Sequence, residues 1–80
     1  MRLDKYLKVS RIIKRRTVAN DACDSAHVNV NGKPAKASYD VKEGDIIEVT
    51  FGQRTLKVRV LDVKEFTAKA NASALYEVIE

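Results

Sequence analysis

Cysteine, histidine and glycine are scarce in this chain of 80 residues. One cysteine, Cys23, excludes an intramolecular disulfide and a metal site built from several thiolates. The lack of a disulfide framework is typical of a reducing compartment, so we expect a cytoplasmic protein. The one histidine, His27, follows Cys23 by four positions, across the expected end of a helix. A Cys–His nucleophilic pair needs direct contact and a third, orienting group, which this arrangement does not supply.

Long apolar runs and the familiar catalytic motifs are also missing. No run approaches the roughly 20 apolar residues that span a bilayer, and the charged N-terminus leads into no apolar signal segment, so we expect no membrane contact. Glycine-rich phosphate loops, the HExxH zinc motif and EF-hand loops do not occur. Four aspartates are scattered over different expected elements, at helix first turns, solvated faces and turns: Asp4, Asp21, Asp24 and Asp45. We therefore expect a non-enzymatic protein without metal or cofactor.

Positive charge is concentrated at one end of the chain. Residues 1–16 contain seven Lys or Arg and one Asp, a net charge of +6. The remaining residues contain eight Lys or Arg and ten Asp or Glu, a net charge of −2. A need for solubility alone would spread the charge, whereas its concentration indicates an anionic partner.

A first short helix is expected over residues 2–10. Leu3, Tyr6 and Leu7 recur at the spacing i, i+3, i+4, which places them on one helix face. Three basic residues fall on a neighbouring row, largely opposite that face: Arg2, Lys5 and Lys8. One side of the helix can therefore enter a core while the other side stays basic.

A second helix is expected to begin at Thr17, whose hydroxyl can accept a hydrogen bond from a free backbone N–H of the first turn. Its apolar stripe consists mainly of small residues: Val18, Ala19, Ala22, Cys23 and Ala26. Such a stripe can pack closely on another element. Residues 11–16 connect the two helices, and Ile12 and Ile13 are expected to pin this connection.

Strands follow the helices. Alternation of polar and apolar residues predicts them at 27–30, 46–51, 55–61 and 75–79. In the last strand, Leu75, Glu77 and Ile79 are expected to share a face, and a terminal helix turn is the alternative for this segment. Asn31-Gly32 predicts a hairpin turn because both residues tolerate positive φ, and Pro34 suits an edge strand.

Helices at the N-terminus followed by strands predict the α+β class. We expect two short helices packed on a small antiparallel sheet, with a C-terminal strand extension. Residues 62–73 are polar, and their pattern is ambiguous between the possible elements. At this length a single domain is expected over residues 1–80.

The basic run Lys14-Arg15-Arg16 is the main functional signal. It is expected to be held between the two helices, and it continues the basic row of the first helix through Arg11. Thr17 would place a helix N-terminus beside the run, where backbone N–H groups favour phosphate. Arginine suits planar, bidentate phosphate recognition. The candidate nucleic-acid-binding residues are Arg2, Lys5, Lys8, Arg11, Lys14, Arg15, Arg16, Thr17, Lys33 and Lys36.

Folded RNA fits this pattern better than DNA. The expected second helix carries Asn20, Asp21 and Asp24 but no Lys or Arg, so as a recognition helix it would meet DNA phosphates unfavourably. Aromatic side chains that could stack on unpaired bases are few and scattered: Tyr39, Phe51, Phe66 and Tyr76. Recognition through shape and phosphates is therefore expected, as for structured RNA. A DNA-binding protein is the disfavoured alternative.

In combination, several short motifs resemble the S-four RNA-binding domain family, also called the alpha-L motif. They are Arg2-Leu3-Asp4-Lys5-Tyr6-Leu7, Arg11, Lys14-Arg15-Arg16-Thr17, Val28-Asn29-Val30-Asn31-Gly32, Lys36, Val41, Gly44-Asp45 and Val49. The resemblance covers residues 1–50 and implies a core motif there, with residues 51–80 as a β extension. It implies that ribosomal or transfer RNA is bound by Arg2, Lys5, Arg11, Lys14, Arg15, Arg16, Thr17 and Lys36. The family usually has glycine at the position of Ala26, where it relieves a left-handed helix end.

Within the family, the chain is most similar to short stand-alone members that act in bacterial ribosome-associated quality control. This resemblance implies a cytoplasmic monomer that binds large-subunit ribosomal RNA and the P-site tRNA of stalled complexes. It also implies a tail-synthesising partner protein that adds C-terminal alanine. Two alternatives stay open. Similarity to heat-shock protein fifteen implies recycling of free large subunits that carry nascent chains, and the module also occurs as the targeting domain of RNA-modifying enzymes such as pseudouridine synthases.

Overall fold

A computed structural model describes residues 1–63 and 74–79, and within these residues two helices lie against one face of a five-stranded antiparallel sheet. The helices are α1 (Leu3–Val9) and α2 (Arg16–Asp24). The strands are β1 (Val28–Val30), β2 (Lys33–Pro34), β3 (Ile46–Phe51), β4 (Arg54–Val60) and β5 (Tyr76–Val78). This architecture confirms the expected α+β class.

The strands lie in the order β2-β1-β3-β4-β5, and every neighbouring pair is antiparallel. Asn31 and Gly32 both have positive φ, of 54° and 83°, and form the predicted two-residue turn between β1 and β2. Pro34 lies in the edge strand β2, where its missing N–H breaks no ladder. At the β3–β4 hairpin, Phe51 pairs with Arg54, so β4 begins and ends one residue earlier than predicted.

The core fills the space between the helices and the sheet. From α1, Leu3, Tyr6 and Leu7 are completely buried, as their spacing predicts. The sheet contributes alternate residues, namely Val28, Val30, Ile47, Val49, Val58 and Val60. Ile13 is buried and Ile12 partly buried, so the connection between the helices is pinned as expected. Burial of this kind contributes roughly 25 cal/mol for each Å² of apolar surface and holds the helices at a fixed position on the sheet.

The start of α2 differs from the prediction. The helix begins at Arg16, and the capping position is Arg15, whose carbonyl accepts the N–H of Ala19 at 3.0 Å. Within the described residues α2 has no side-chain cap, so the predicted capping role of Thr17 is wrong, and Thr17 lies inside the first turn. The buried apolar stripe of α2 is also narrower than predicted. Ala19 and Cys23 face α1 and are buried, whereas Val18 points away and is 50% exposed.

Both helices end at a non-glycine residue in the left-handed region of φ. Ala26 follows α2 with a φ of 62°, and the N–H of His27 donates to the carbonyl of Ala22 at 2.9 Å, as in a Schellman motif. Arg11 follows α1 with a φ of 65°. Alanine therefore occupies the left-handed conformation for which the family uses glycine, and the helix accepts the strain.

The last strand is present, but its predicted face is wrong. Leu75 is buried in a short turn just before β5, and its carbonyl accepts the hydroxyl of Tyr6 at 2.7 Å. Glu77 instead lies on the solvent side, where it forms an ion pair with Arg59 at 3.7 Å. Most of the ambiguous segment 62–73 and part of the extension 51–80 fall outside the described residues. In the described part of the chain, neither helix is long and apolar enough to cross a bilayer.

Candidate nucleic-acid interface

A buried carboxylate, that of Asp4, lies at the centre of the basic surface. Its side chain is 3% exposed and accepts hydrogen bonds from three other side chains and one backbone N–H. Arg2 donates through Nε at 3.2 Å, Asn20 through Nδ2 at 3.2 Å and Arg16 through Nε at 3.5 Å. The fourth donor is the N–H of Lys5, at 2.8 Å. Asp4 therefore joins the start of α1 to the first turns of α2.

These contacts determine the charge of Asp4. Burial alone would raise the pKa of its carboxyl group, because the charged form loses water. Hydrogen bonds from Asn20, Arg2 and the Lys5 N–H, together with the charge of Arg16, outweigh burial and hold the pKa below its ordinary value. Asp4 is therefore ionised at neutral pH and can fix two guanidinium groups at once.

Arg2 and Arg16 are held on one side and open to solvent on the other. Their side chains are 51% and 48% exposed, respectively. Arg16 uses only Nε in its contact with Asp4, and within residues 1–63 and 74–79 its two Nη groups make no other hydrogen bond. A guanidinium carries five N–H donors, so both arginines keep donors that point outward. Such fixed, planar donors suit a phosphate.

Helix packing explains why these residues meet. Arg16 and Asn20 are four residues apart and so lie on the same face of α2. Ala19 and Cys23, on the adjoining face, pack against α1, and their small side chains allow close approach. Burial raises the pKa of the Cys23 thiol to about 11, which keeps it neutral and suited to this apolar contact.

The loop before β3 completes the interface. The N–H of Leu3 donates to the carbonyl of Tyr39 at 2.8 Å, and the N–H of Asp4 donates to that of Ala37 at 3.2 Å. These bonds satisfy two free backbone donors at the start of α1. The exposed Lys36 immediately precedes Ala37 in this loop.

The structure brings some of the predicted residues together and spreads the others. Arg2, Arg16 and the backbone N–H of Lys5 contact the Asp4 side chain, and Lys36 lies in the loop beside the start of α1. Four more are exposed along α1 and the connection: Lys8, Arg11, Lys14 and Arg15. Thr17 lines a depression of about 320 Å³ together with Asp4, Arg16, Asn20 and Asp21. Lys33 is separate, because it is exposed on the edge strand β2.

Asp4 and Asn20 were missed as site residues by the sequence analysis. Asp4 was interpreted as a first-turn charge, and Asn20 was named only as a residue of a second helix that lacks basic side chains. A signal was present, since Asp4 borders the apolar stripe of α1 and Asn20 follows Arg16 by one helical turn. Within the described residues, no group of three potential metal ligands lies close together.

Comparison with known proteins places the chain in a family. The S4 domain matches residues 1–47 of this chain, which include α1, α2, the connection and Lys36. The chain belongs to the S4 domain family. The match confirms the resemblance found in the sequence motifs.

Similar proteins span nearly the whole chain. One from Streptococcus pneumoniae, named RQC P-site tRNA stabilizing factor, is 54% identical over 79 residues, which is 99% of this chain and 90% of the relative. A protein of the same name from Bacillus subtilis is 49% identical over 80 residues, covering 100% and 93% of the two chains. Among solved structures, trimeric Vibrio cholerae Heat Shock Protein 15 superposes with a TM-score of 0.90 at 28% identity, covering 98% of this chain and 80% of the other.

Proposed function

We propose that this chain is a non-enzymatic RNA-binding protein that holds tRNA on the ribosome. The observation that carries the proposal is the pair of half-exposed arginines fixed by Asp4, which gives a preorganised phosphate-binding surface. A fixed arginine loses less conformational entropy on binding than a free one, and each immobilised side chain otherwise costs roughly 0.5–1.5 kcal/mol.

The residues of the interface have graded roles in this proposal. Arg2 and Arg16 contact phosphates with fixed geometry, and the other exposed basic residues add charge without a fixed partner. Those residues are Lys8, Arg11, Lys14, Arg15, Lys33 and Lys36, while Lys5 and Thr17 contribute at the edge of the Asp4 cluster. Phosphate contacts of this kind position a protein on RNA without reading its sequence.

The names of the relatives favour a specific setting for this binding. Proteins called RQC P-site tRNA stabilizing factor match at 49–54% identity over almost their full length. We propose that the chain likewise stabilises P-site tRNA during ribosome-associated quality control. In this setting it binds large-subunit ribosomal RNA as well as tRNA, and it supports a partner protein that adds C-terminal alanine tails.

The proposal includes the organisation of the molecule. We propose that the chain acts as a cytoplasmic monomer and as one domain over residues 1–80. Residues 1–50 form the RNA-binding core motif, and residues 51–80 form a β extension. The pairing of all six residues of β3 with β4 supports a single unit, because it joins the last part of the core motif directly to the extension.

A second candidate function is recycling of free large subunits that carry nascent chains. The close superposition on Heat Shock Protein 15 favours it. The two functions differ in the required partner, since the first needs tRNA in the P site of a stalled complex together with the tail-synthesising protein. The second needs a free large subunit with a nascent chain.

Sedimentation of the tagged chain from cell lysate through a sucrose gradient tests the proposal. We expect co-migration with large subunits that carry tRNA, and enrichment of tRNA and one ribosomal RNA site on sequencing. The double variant Arg2→Ala/Arg16→Ala should no longer co-migrate with the large subunits that carry tRNA. Arg54→Ala, at an exposed arginine at the start of β4, removes one positive charge and should stay bound.

Migration of the wild type at the top of the gradient at low salt, without enriched RNA, would contradict RNA binding altogether. Enrichment of subunits with nascent chains but without alanine tails or the tail-synthesising partner would favour the recycling function. Equal loss of binding in Arg54→Ala would mean that the surface acts through total charge and not through the fixed arginines.

A further inference from the structure

A cleft outside the Asp4 cluster opens between the β1–β2 hairpin and the loop that follows it. Its volume is about 450 Å³, within the range of roughly 300–1,000 Å³ that is common for small-molecule sites. It is lined by Val30, Asn31, Lys33, Pro34, Ala35 and Tyr39. Val30 and Ala35 are buried and form an apolar floor, while Lys33 is exposed at the rim.

Tyr39 is the aromatic wall of the cleft, and it is held rigidly. Its hydroxyl donates to Oδ2 of Asp45 at 3.1 Å, and its ring packs partly against the core. Its backbone is bonded at both ends, since its N–H donates to the carbonyl of Lys36 at 3.0 Å and its carbonyl accepts the N–H of Leu3. Partial burial, then the hydrogen bond and charge of Asp45, raise the pKa of the Tyr39 hydroxyl, so it remains a donor.

Both polar atoms of the Asn31 side chain make hydrogen bonds within the fold. Its Nδ2 donates to Oδ1 of Asp45 at 3.1 Å, and its Oδ1 accepts the N–H of Ile46 at 3.0 Å. Each amide atom therefore makes one hydrogen bond within the fold, which fixes the orientation of the Asn31 side chain and leaves it one N–H and one lone pair. The cleft also offers an apolar floor, one aromatic ring and one ammonium group. This combination suits the flat face of a nucleobase together with its phosphate.

The cleft also adjoins the basic surface. The hydrogen bond between Leu3 and Tyr39 joins the cleft to the first turn of α1, where Arg2 and Asp4 lie, and Lys36 is on the same loop. Arg2 itself pairs with Asp40, the residue after Tyr39, so the backbone of Arg2 lies beside the loop that forms the wall of the cleft.

We infer that this cleft receives one unpaired base of the bound RNA, stacked on Tyr39, with the adjoining phosphate at Lys33. The inference rests on the proposed function, because the base arrives as part of the RNA on the basic surface. It adds selectivity for RNA with an exposed base to a surface that otherwise recognises only shape and charge.

Two RNA hairpins that differ only by one bulged nucleotide in the stem test the inference. We expect the wild type to prefer the bulged RNA by about 5- to 150-fold, because stacking of one base on an aromatic side chain contributes roughly 1–3 kcal/mol. Tyr39→Leu should abolish the preference, and Tyr39→Phe, which keeps the ring, should retain it. Lys33→Ala should weaken the complex with the bulged hairpin, reduce its salt slope by about one unit and lower the preference, because Lys33 contacts the phosphate beside the stacked base.

A second measurement does not depend on any variant being folded. In NMR spectra of the wild type, the ring protons of Tyr39 should shift on addition of the bulged hairpin and stay unchanged with the paired one. Equal binding of both hairpins would overturn the inference that the cleft binds a base, but it would not contradict the proposed function. A preference for the bulged hairpin that survives Tyr39→Leu would have the same meaning. Saturable binding of free adenosine monophosphate, without any preference for the bulge, would assign the cleft to free nucleotides instead. Binding of neither hairpin at low salt would overturn the proposed function, and the cleft with it.

Discussion

Asp4 is an acidic residue at the centre of the most basic part of the chain. Residues 1–16 carry a net charge of +6, and Asp4 is their one acidic member. Its removal would increase the positive charge, which by itself favours RNA. Its contacts with Arg2, Arg16 and Asn20 predict the opposite, because those contacts fix the arginines in place. Charge and geometry therefore make opposite predictions for the same substitution.

Asp4→Asn should weaken RNA binding at neutral pH by at least about fivefold, because two arginine side chains would then have to be ordered on binding at roughly 0.5–1.5 kcal/mol each. Asp21→Asn makes the same change in net charge at an exposed position on α2 and should leave the affinity unchanged or raise it. Equilibrium titrations of both variants with one structured RNA check this. Tighter binding by Asp4→Asn would show that net charge dominates.

The pH dependence of stability provides a separate test of Asp4. Its pKa is lowered in the folded state from an ordinary value of 3.8. Its contribution to the free energy of unfolding is therefore complete above the unfolded pKa and is lost as the pH falls through the folded pKa. Urea unfolding of the wild type and Asp4→Asn should show a constant difference from about pH 7 to about pH 5 that shrinks below pH 3.8. A difference that shrinks between pH 7 and 5 would mean that the pKa of Asp4 is raised.

At the scale of single elements, the end of α2 carries avoidable strain. Ala26 has a φ of 62°, which glycine adopts without a Cβ clash. Ala26→Gly should raise the free energy of unfolding by about 1 kcal/mol and Tm by roughly 4–8 °C, with unchanged RNA affinity. Ala22→Gly, inside the same helix, should lower stability by about 1 kcal/mol. A lower Tm for Ala26→Gly would contradict the left-handed conformation.

The end of α1 combines strain with charge, because Arg11 has a φ of 65° and an exposed side chain. Strained backbone is common at functional sites. Arg11→Gly and Arg11→Ala should lose RNA affinity equally and reduce the salt slope by about one unit. Only the glycine variant should melt at a higher temperature. If neither variant loses affinity, Arg11 does not contact RNA and its strain needs another explanation.

Local patterns in the sequence predict the bounds of some elements and miss the bounds of others. Alternation and the Gly44-Asp45 turn predict β3 to the residue, because both signals are local. The start of α2 was placed too late, since Thr17 is a good capping residue by itself, whereas Arg15 holds the capping position. Arg16, the first residue of the helix, contacts Asp4. A contact across 12 residues leaves no local pattern.

The candidate interface could also be predicted only in part. The exposure of the basic run could be predicted from composition and spacing, because charged residues stay in water. The convergence of Arg2 and Arg16 could not, since it depends on the angle at which two short helices cross. The position of Tyr39 could not be predicted from the sequence either. Its place in a cleft follows from a loop that returns to the start of α1, which sequence alone does not reveal.

At the scale of the whole molecule, the most basic segment and the sheet lie in different parts of the fold. The two helices and their connection carry the positive end of the chain, and the sheet beneath them supplies six of the sixteen apolar residues that are buried in the described part of the chain. The basic surface is therefore presented on a rigid base, which is the arrangement that a protein needs to hold a large RNA in one orientation. Binding should then be dominated by phosphate contacts and should depend strongly on salt.

The most direct test of this account is the affinity of the purified chain for large subunits carrying P-site tRNA, measured between 50 and 200 mM salt. With about six phosphate contacts, we expect affinity to fall roughly 10³-fold over this range. Arg2→Ala/Arg16→Ala should reduce the slope of log K against log salt by about two units, and Arg54→Ala should not. An affinity that is independent of salt, or a slope that the double variant leaves unchanged, would contradict RNA binding through the surface that Asp4 organises.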